Sequence, residues 1–215
     1  MKKLIELEEF KNHVFDGMSI MIGGFMVIGT PEFLIDELVK TGVKDLTIIC
    51  NDAGLPGNGV AKLITNGQVK TLIASHIGLN PEAGKLMSAG LMECILIPQG
   101  TLAERIRAGG AGLGGILTPT GIGTIVEEGK QIINSNGKDY ILELPLRADL
   151  ALLEGTKVDI FGNVIYTKTT RNFNPVMATA TDKVIVGARE IVESIDPDNV
   201  MTPHIFVDYV IEEEL

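Results

Sequence analysis

Tryptophan is absent from this sequence of 215 residues, and aromatic residues make up only 5% of it. So sparse an aromatic content argues against the stacking platforms that hold single-stranded nucleic acid. Basic runs are missing too. Lysine and arginine number 18 against 28 acidic residues, a net charge of −10 with a sequence pI near 4.8. Phosphate backbones and anionic membrane surfaces call for the opposite balance, so neither nucleic acid nor membrane is expected as a partner. The longest like-charge stretch is Glu212 to Glu214. Cysteine is scarce: Cys50 and Cys94 make neither a disulfide framework nor a zinc pattern, and no metal is expected. Long apolar runs are also lacking. Mean hydropathy is +0.27, yet no stretch approaches the roughly 20 residues that span a bilayer. The apolar surplus is distributed, as buried parallel strands and a subunit interface would distribute it. The first ten residues are charged and amphipathic rather than leader-like, which points to the cytoplasm.

Residues 18–23 form a short apolar run that ends in a glycine-rich turn. A helix is predicted next: Thr30 suits an N-cap, Pro31 the first helical position, and Glu32 the positive end of the helix dipole. Phe33, Leu34, Leu38 and Val39 recur at helical spacing, and Gly42 ends the run. The pattern repeats, with strands predicted at 46–50, 69–75 and 93–97 and helices at 60–65, 81–89 and 102–108. Short apolar runs alternating with helices predict an α/β fold with an open, mostly parallel, doubly wound sheet. In the second half, residues 131–135 and 139–144 flank Asn136-Gly137, the signature of a type I′ hairpin, so an antiparallel elaboration is predicted there. Residues 149–153 and 184–186 read as buried strands, and 163–168 as an exposed one. No Ser/Pro-rich linker interrupts the chain, and residues 1–215 read as a single domain.

The segment Gly23-Gly24-Phe25-Met26-Val27-Ile28-Gly29 joins the first predicted strand to the first helix. In an open α/β sheet ligands collect at that junction, because glycine lets backbone N–H groups approach an anion or a carbonyl oxygen. A plain tight turn is the other reading of the same residues. The segment is not G-x-G-x-x-G and lacks the acidic residue of a dinucleotide fold, which disfavours NAD. Residues 78–85 fail as a phosphate loop: there is an extra residue between the glycines, Pro81 interrupts, and Leu86 follows Lys85 where Ser or Thr is needed. From Gly109 to Gly115 five of the seven residues are glycine. At about 1 kcal/mol per glycine in a helix interior, that stretch is predicted to be a loop. Arg105 and Arg107, just before it, suit either a phosphate contact or a solvated helix face. Cys50 and His76 fall at the carboxyl ends of neighbouring predicted strands, which raises a nucleophilic pair. No third group orients them, and a free cysteine is more often a small buried hydrophobe. His13 and His204 have no partner pattern.

The run from Asp16-Gly17 through an apolar stretch to Gly23-Gly24-Phe25 and Gly29-Thr30-Pro31 resembles the N-terminal signature of family I CoA-transferases. Further blocks agree: Asn51-Asp52, 74–78, Pro98-Gln99-Gly100-Thr101-Leu102 running into 104–110, 144–149, and Arg171-Asn172-Phe173-Asn174-Pro175. The resemblance covers nearly the whole chain and is nearest to the α subunits of bacterial enzymes acting on acetate, butyrate and acetoacetate. It implies CoA transfer from an acyl-CoA to a free carboxylate by a ping-pong route. A glutamate attacks the thioester, and CoA is carried as a glutamyl thioester reached through an acyl–glutamyl anhydride. In the family that glutamate lies in a Glu-Asn-Gly motif on a β subunit or β half, and this sequence contains no Glu-Asn-Gly. The chain therefore looks like half an enzyme. No catalytic residue is expected within it, and the implied partner is a β subunit, with two or more copies of each chain. The resemblance assigns Gly23, Gly24, Phe25, Met26, Val27, Ile28 and Gly29 to CoA binding, and Asn51 and Gln99 to the acyl pocket beside the partner's glutamate. CoA and acyl-CoA enter as substrates, with no permanently bound cofactor. Two other readings stay open: a non-catalytic acyl-CoA-binding module, and a sugar-phosphate isomerase on a related scaffold. The isomerase would need its own base and a cationic clamp, for which Arg105 and Arg107 are the only close basic pair near the glycines.

Overall fold

Short apolar strands alternate with helices through residues 19–110 of the computed structural model, which describes residues 3–214. In order they are β1 (Ser19–Ile22), α1 (Glu32–Thr41), β2 (Leu46–Ile49), α2 (Ala61–Thr65), β3 (Val69–Ala74), α3 (Pro81–Ser88), β4 (Glu93–Leu96) and α4 (Gln99–Gly110). Then follow β5 (Ile116–Thr118), β6 (Ile132–Ser135), β7 (Lys138–Glu143), β8 (Ala148–Gly155), β9 (Lys157–Asp159), β10 (Val164–Ile165), α5 (Asn174–Ala178), β11 (Thr181–Ala188), β12 (Ile191–Val192) and β13 (Tyr209–Glu212).

Seven strands form one sheet in the order β13-β11-β8-β1-β2-β3-β4, and every neighbouring pair in it is parallel. Its inner strands are apolar on both faces because helices cover both, as a parallel sheet requires. On one face Leu34 and Leu38 of α1 and Leu63 of α2 pack on Ile20, Ile22, Ile48 and Leu152. On the other, Leu102 and Ile106 of α4 and Met177 of α5 pack on Met21, Ile49, Ala151 and Leu153. Each buried Leu or Ile side chain contributes roughly 1.5–3 kcal/mol relative to exposure. The doubly wound α/β expectation therefore holds.

The predicted hairpin is also present: β6 and β7 pair antiparallel across Asn136 and Gly137, whose φ values of 53° and 77° suit a type I′ turn. With β5 they make a three-stranded sheet. A third sheet, β10-β9-β12, had no clear sequence signal, since its strands are two or three residues long. No helix among the described residues is long and apolar enough to cross a membrane.

Three local expectations are corrected. Residues 109–110 are not loop but the end of α4. A Cβ on Gly109 would sit 2.2 Å from Leu146 O and one on Gly110 2.0 Å from Thr179 Oγ1, so glycine here permits backbone contact rather than flexibility. Residues 163–168 are not an exposed strand: only Val164–Ile165 pair, and Val164 and Tyr166 are buried, with Tyr166 Oη 2.9 Å from Thr202 Oγ1. Thr30 does not cap α1, which starts after Pro31 with no side-chain cap. The Thr30 side chain is turned instead against Gly24.

Candidate functional site

The chain winds outward from β1 to β4, then resumes on the other side of β1 with β8, β11 and β13. The direction of winding thus reverses between β1 and β8, and the crevice beyond their carboxyl ends is where an open α/β sheet takes its ligand. The glycine segment fills that position. The Gly23 N–H donates to Leu152 O at 3.0 Å, carrying the β1–β8 pairing one residue past the strand. Phe25 and Ile28 then exchange both backbone hydrogen bonds at 3.0 Å, with Met26 (φ 45°) and Val27 (φ 62°) at the tip. This is the type I′ arrangement, which ordinarily selects Asn-Gly. A left-handed conformation costs an L-residue about 1–2 kcal/mol, and such strain persists only where its surroundings over-determine it.

Those surroundings come from both halves of the sheet. From the β2 side, Asp52 Oδ2 accepts from the Met26 N–H and from Asn51 Nδ2, each at 2.8 Å, while Oδ1 accepts from the Gly54 N–H at 3.0 Å. From the other side, Asn172 Oδ1 accepts from the Gly24 N–H at 3.2 Å, and its Nδ2 donates to Ile28 O and Thr169 O, each at 2.8 Å. Asn174, fully buried, donates from Nδ2 to Gly29 O (2.9 Å) and Thr170 O (2.8 Å) and accepts from the Glu154 N–H at 3.1 Å. Side chains at the first two glycines would break this clamp. A Cβ on Gly23 would lie 1.9 Å from Asn174 Oδ1, and one on Gly24 1.9 Å from Thr30 Oγ1.

So held, the loop presents an apolar tip, with Phe25, Met26 and Ile28 exposed by 42%, 42% and 49%. Among the described residues, the N–H groups of Val27 and Gly29 have no acceptor. Behind the loop, Gly23, Met26, Val27, Asn51 and Asp52 enclose a hollow of only about 10 Å³, room for one water. In front, Phe25, Gln99, Ala103, Arg107, Arg171 and Asn172 border a cavity of about 360 Å³. Beside it, Phe25, Met26 and Ile28 line an apolar groove of about 570 Å³. Asn51 lines the small hollow and Gln99 the larger cavity. Asn51 is buried, and its Oδ1 accepts from Ser75 Oγ at 3.3 Å. Gln99 is the exposed first residue of α4.

The remaining candidates separate cleanly. Cys50 and His76 make no pair: the thiol donates to Asp52 O at 3.1 Å, and burial together with the nearby Asp52 charge pushes its pKa well up, which leaves it inert. Arg105 is structural, its Nε donating to Leu144 O at 2.7 Å with Nη1 3.6 Å from the buried Glu143 carboxylate. Arg107 faces the other way, into the Gln99 cavity. His13 stacks 4.4 Å from Tyr209, and burial with Lys183 close by lowers its pKa. His204 Nδ1 lies 3.2 Å from Asn163 Oδ1. No cluster of three or more His, Cys, Asp or Glu side chains suited to a metal occurs among the described residues.

Asp52, Asn172 and Asn174 were visible in the sequence only as parts of blocks, with no role attached. Short polar side chains that recur around a proline are a signal for backbone-bonded turns, but nothing local says which backbone they bond. Glu154 gave no signal. It is the next-to-last residue of β8, with Oε2 2.8 Å from Arg189 Nη2 and Oε1 buried without a partner. Burial raises its carboxyl pKa, and Arg189 opposes the rise.

A family model described as coenzyme A transferase matches residues 6–213. The chain is 51% identical over 211 residues to the acetate CoA-transferase subunit alpha of Escherichia coli K12, covering 97% of this chain and 96% of that one. It is 53% identical over 213 residues to the acetoacetyl-CoA:acetate/butyrate CoA transferase alpha subunit of Clostridium acetobutylicum, covering 98% of both. Among solved structures, an acyl-CoA transferase from Escherichia coli O157:H7, in thioester complex with CoA, superposes with a TM-score of 0.87 at 22% identity. That match covers 99% of this chain and 47% of the other, so this chain spans about half its length.

Proposed function

The chain belongs to the coenzyme A transferase family, and from that premise we propose that it works as the α subunit of a two-chain enzyme moving CoA between short-chain acids, acetate, butyrate and acetoacetate among them. One observation carries the reading. The Gly23–Gly29 loop sits at the reversal point of the parallel sheet and is held rigid there from both halves of it.

Carboxylate attack on a thioester drives negative charge onto the carbonyl oxygen. Preorganised N–H donors such as those of Val27 and Gly29 suit that charge, because they need no reorganisation as it forms. The exposed Phe25, Met26 and Ile28 side chains suit the apolar part of the pantetheine arm, whose burial can supply energy used at the reacting carbonyl. Among the described residues, the carboxylates nearest the loop are already engaged. Asp52 is committed to three N–H donors, and Glu32 to the Gly59 N–H (2.8 Å) and Lys62 (2.7 Å). Glu154 is buried beside Arg189. In keeping with what the family resemblance implies, a glutamate from the partner chain completes the site, attacks the thioester and carries CoA as a glutamyl thioester while the acids exchange.

CoA transfer from acetyl-CoA to butyrate or acetoacetate, releasing acetate, is the test, with this chain alone and then with its β partner. Turnover is expected only in the mixture. Turnover by this chain alone would overturn the half-enzyme reading.

A further inference from the structure

Between Arg107 and Glu127 the chain carries no charged residue, the longest such stretch in a sequence where 21% of residues are charged. None of residues 111–126 is buried all the same. Ile125 is 82% exposed, and Leu113, Leu117 and Ile122 are exposed in the same stretch. Nor is the segment slack. The Ile122 N–H donates to Pro119 O, the Thr124 N–H to Gly121 O at 3.0 Å, and the Glu127 N–H to Thr124 O at 3.0 Å. The Gly123 N–H adds a bond to Glu127 Oε2 at 2.6 Å, and Thr124 Oγ1 one to Gly121 O at 2.7 Å. An exposed isoleucine on a backbone so constrained has little left to lose in ordering when a partner arrives. Exposed apolar ground without charge is what the centre of a protein interface is made of.

Its position says which partner. β5 pairs only with β7, which leaves it an edge strand. A groove of about 610 Å³ is bordered by Gly100, Ala103 and Glu104 of α4 and by Leu117, Thr118 and Thr120. Ala103 also borders the cavity that holds Gln99 and Phe25, so groove and cavity adjoin at one side chain of α4. A partner chain whose glutamate acts at the loop has to come within reach of that cavity, and the uncharged groove lies next to it. A second copy of this chain is the poorer occupant. It would set two chains of net charge −10 against each other, and it brings no Glu-Asn-Gly.

We propose that the β subunit docks on this ground, with apolar side chains of its own in the groove between α4 and β5 and around Ile125. The proposal rests on the CoA-transferase reading and adds which surface of this chain the partner covers. Ile125→Asp and Leu117→Asp test it in the complex co-purified with the partner chain, with Ile205→Asp, 72% exposed and outside the stretch, as the control. Sedimentation on dilution reads the dissociation constant between the two chains. Each of the first two variants raises it about tenfold or more, as loss of an apolar anchor does, and the control leaves it unchanged. At concentrations that keep the complex whole, kcat and KM for acetyl-CoA match the parent, because neither side chain lines the cavity. No weakening by the first two, or equal weakening by all three, would overturn the proposal. So would variants that separate copies of this chain while its contact with the β subunit persists. Hydrogen exchange needs no substitution: the amides of residues 116–126 should exchange more slowly in concentrated than in diluted complex, and equal exchange would refute the docking. A complex that the variants break but that moves no CoA would end the transferase reading and leave the docking surface standing.

Discussion

Replacing Asn174 by Ala removes the side chain that joins the two halves of the sheet at the loop. Its amide serves three backbone groups: Gly29 O, Thr170 O and the Glu154 N–H. The residue is fully buried, so these groups lose their partner without direct access to bulk water. Each buried backbone group left unpaired costs about 1–3 kcal/mol. The truncated side chain leaves space for a water, which can serve two of the three. A net loss of about 3 kcal/mol is expected on that basis. For a chain of this size each kcal/mol lowers the melting temperature by about 2–4 °C, so the midpoint should fall by about 6–12 °C. Urea unfolding of Asn174→Ala against the parent measures it. The exposed Asn134, whose amide meets Asp139 Oδ1 at 2.7 Å in the hairpin, is the control, and Asn134→Ala should stay within about 0.5 kcal/mol. Asn174→Asp should be worse than Ala, because it presents a carboxylate to two carbonyl oxygens. If Asn174→Ala matches the Asn134 control in stability and acetyl-CoA turnover is intact, the clamp is not what holds the loop.

The other predictions test strain, close packing and charge. Val27→Gly relieves about 1–2 kcal/mol of left-handed strain and costs about 0.4–1 kcal/mol through the unfolded chain. Stability should therefore hold or rise slightly, and a loss beyond 1 kcal/mol in urea unfolding would refute the strain argument. Gly110→Ala puts a Cβ 2.0 Å from Thr179 Oγ1 and 3.0 Å from the Thr179 carbonyl carbon, and should cost about 1–3 kcal/mol. Gly114→Ala meets nothing within 4 Å and should be neutral by the same measurement. Burial raises the Glu154 carboxyl above its ordinary value, with Arg189 opposing. Between the ordinary and the raised value the folded chain binds more protons than the unfolded one, so stability falls as pH rises through that window. Glu154→Gln should remove this slope, and an unchanged slope in urea unfolding across pH would contradict the assignment.

The periodicity of residues 18–108 made the α/β architecture legible, because a strand buried on both faces must be apolar throughout and a covering helix must be apolar on one side. Asn136-Gly137 announced its hairpin for an equally local reason: few residue pairs tolerate two successive positive φ angles. The glycine stretch after Ala108 misled, since composition cannot separate a glycine that bends from one that lets two backbones touch. Gly109 and Gly110 do the second, against Leu146 and Thr179, nearly forty and seventy residues away in sequence.

The sequence by itself determined the alternating strands and helices of the parallel sheet, the glycine loop after the first strand and the family resemblance, since each is written in contiguous residues. What holds that loop was decided only by the tertiary structure. Asp52, Asn172 and Asn174 reach it from 26 to about 150 residues away. The same holds for the division of labour between Arg105 and Arg107, neighbours on one helix that turn to different surroundings. A side chain's chemistry is fixed by its type. Which distant backbone it satisfies, or which cavity it faces, depends on how the strands are ordered, and no local pattern contains that order.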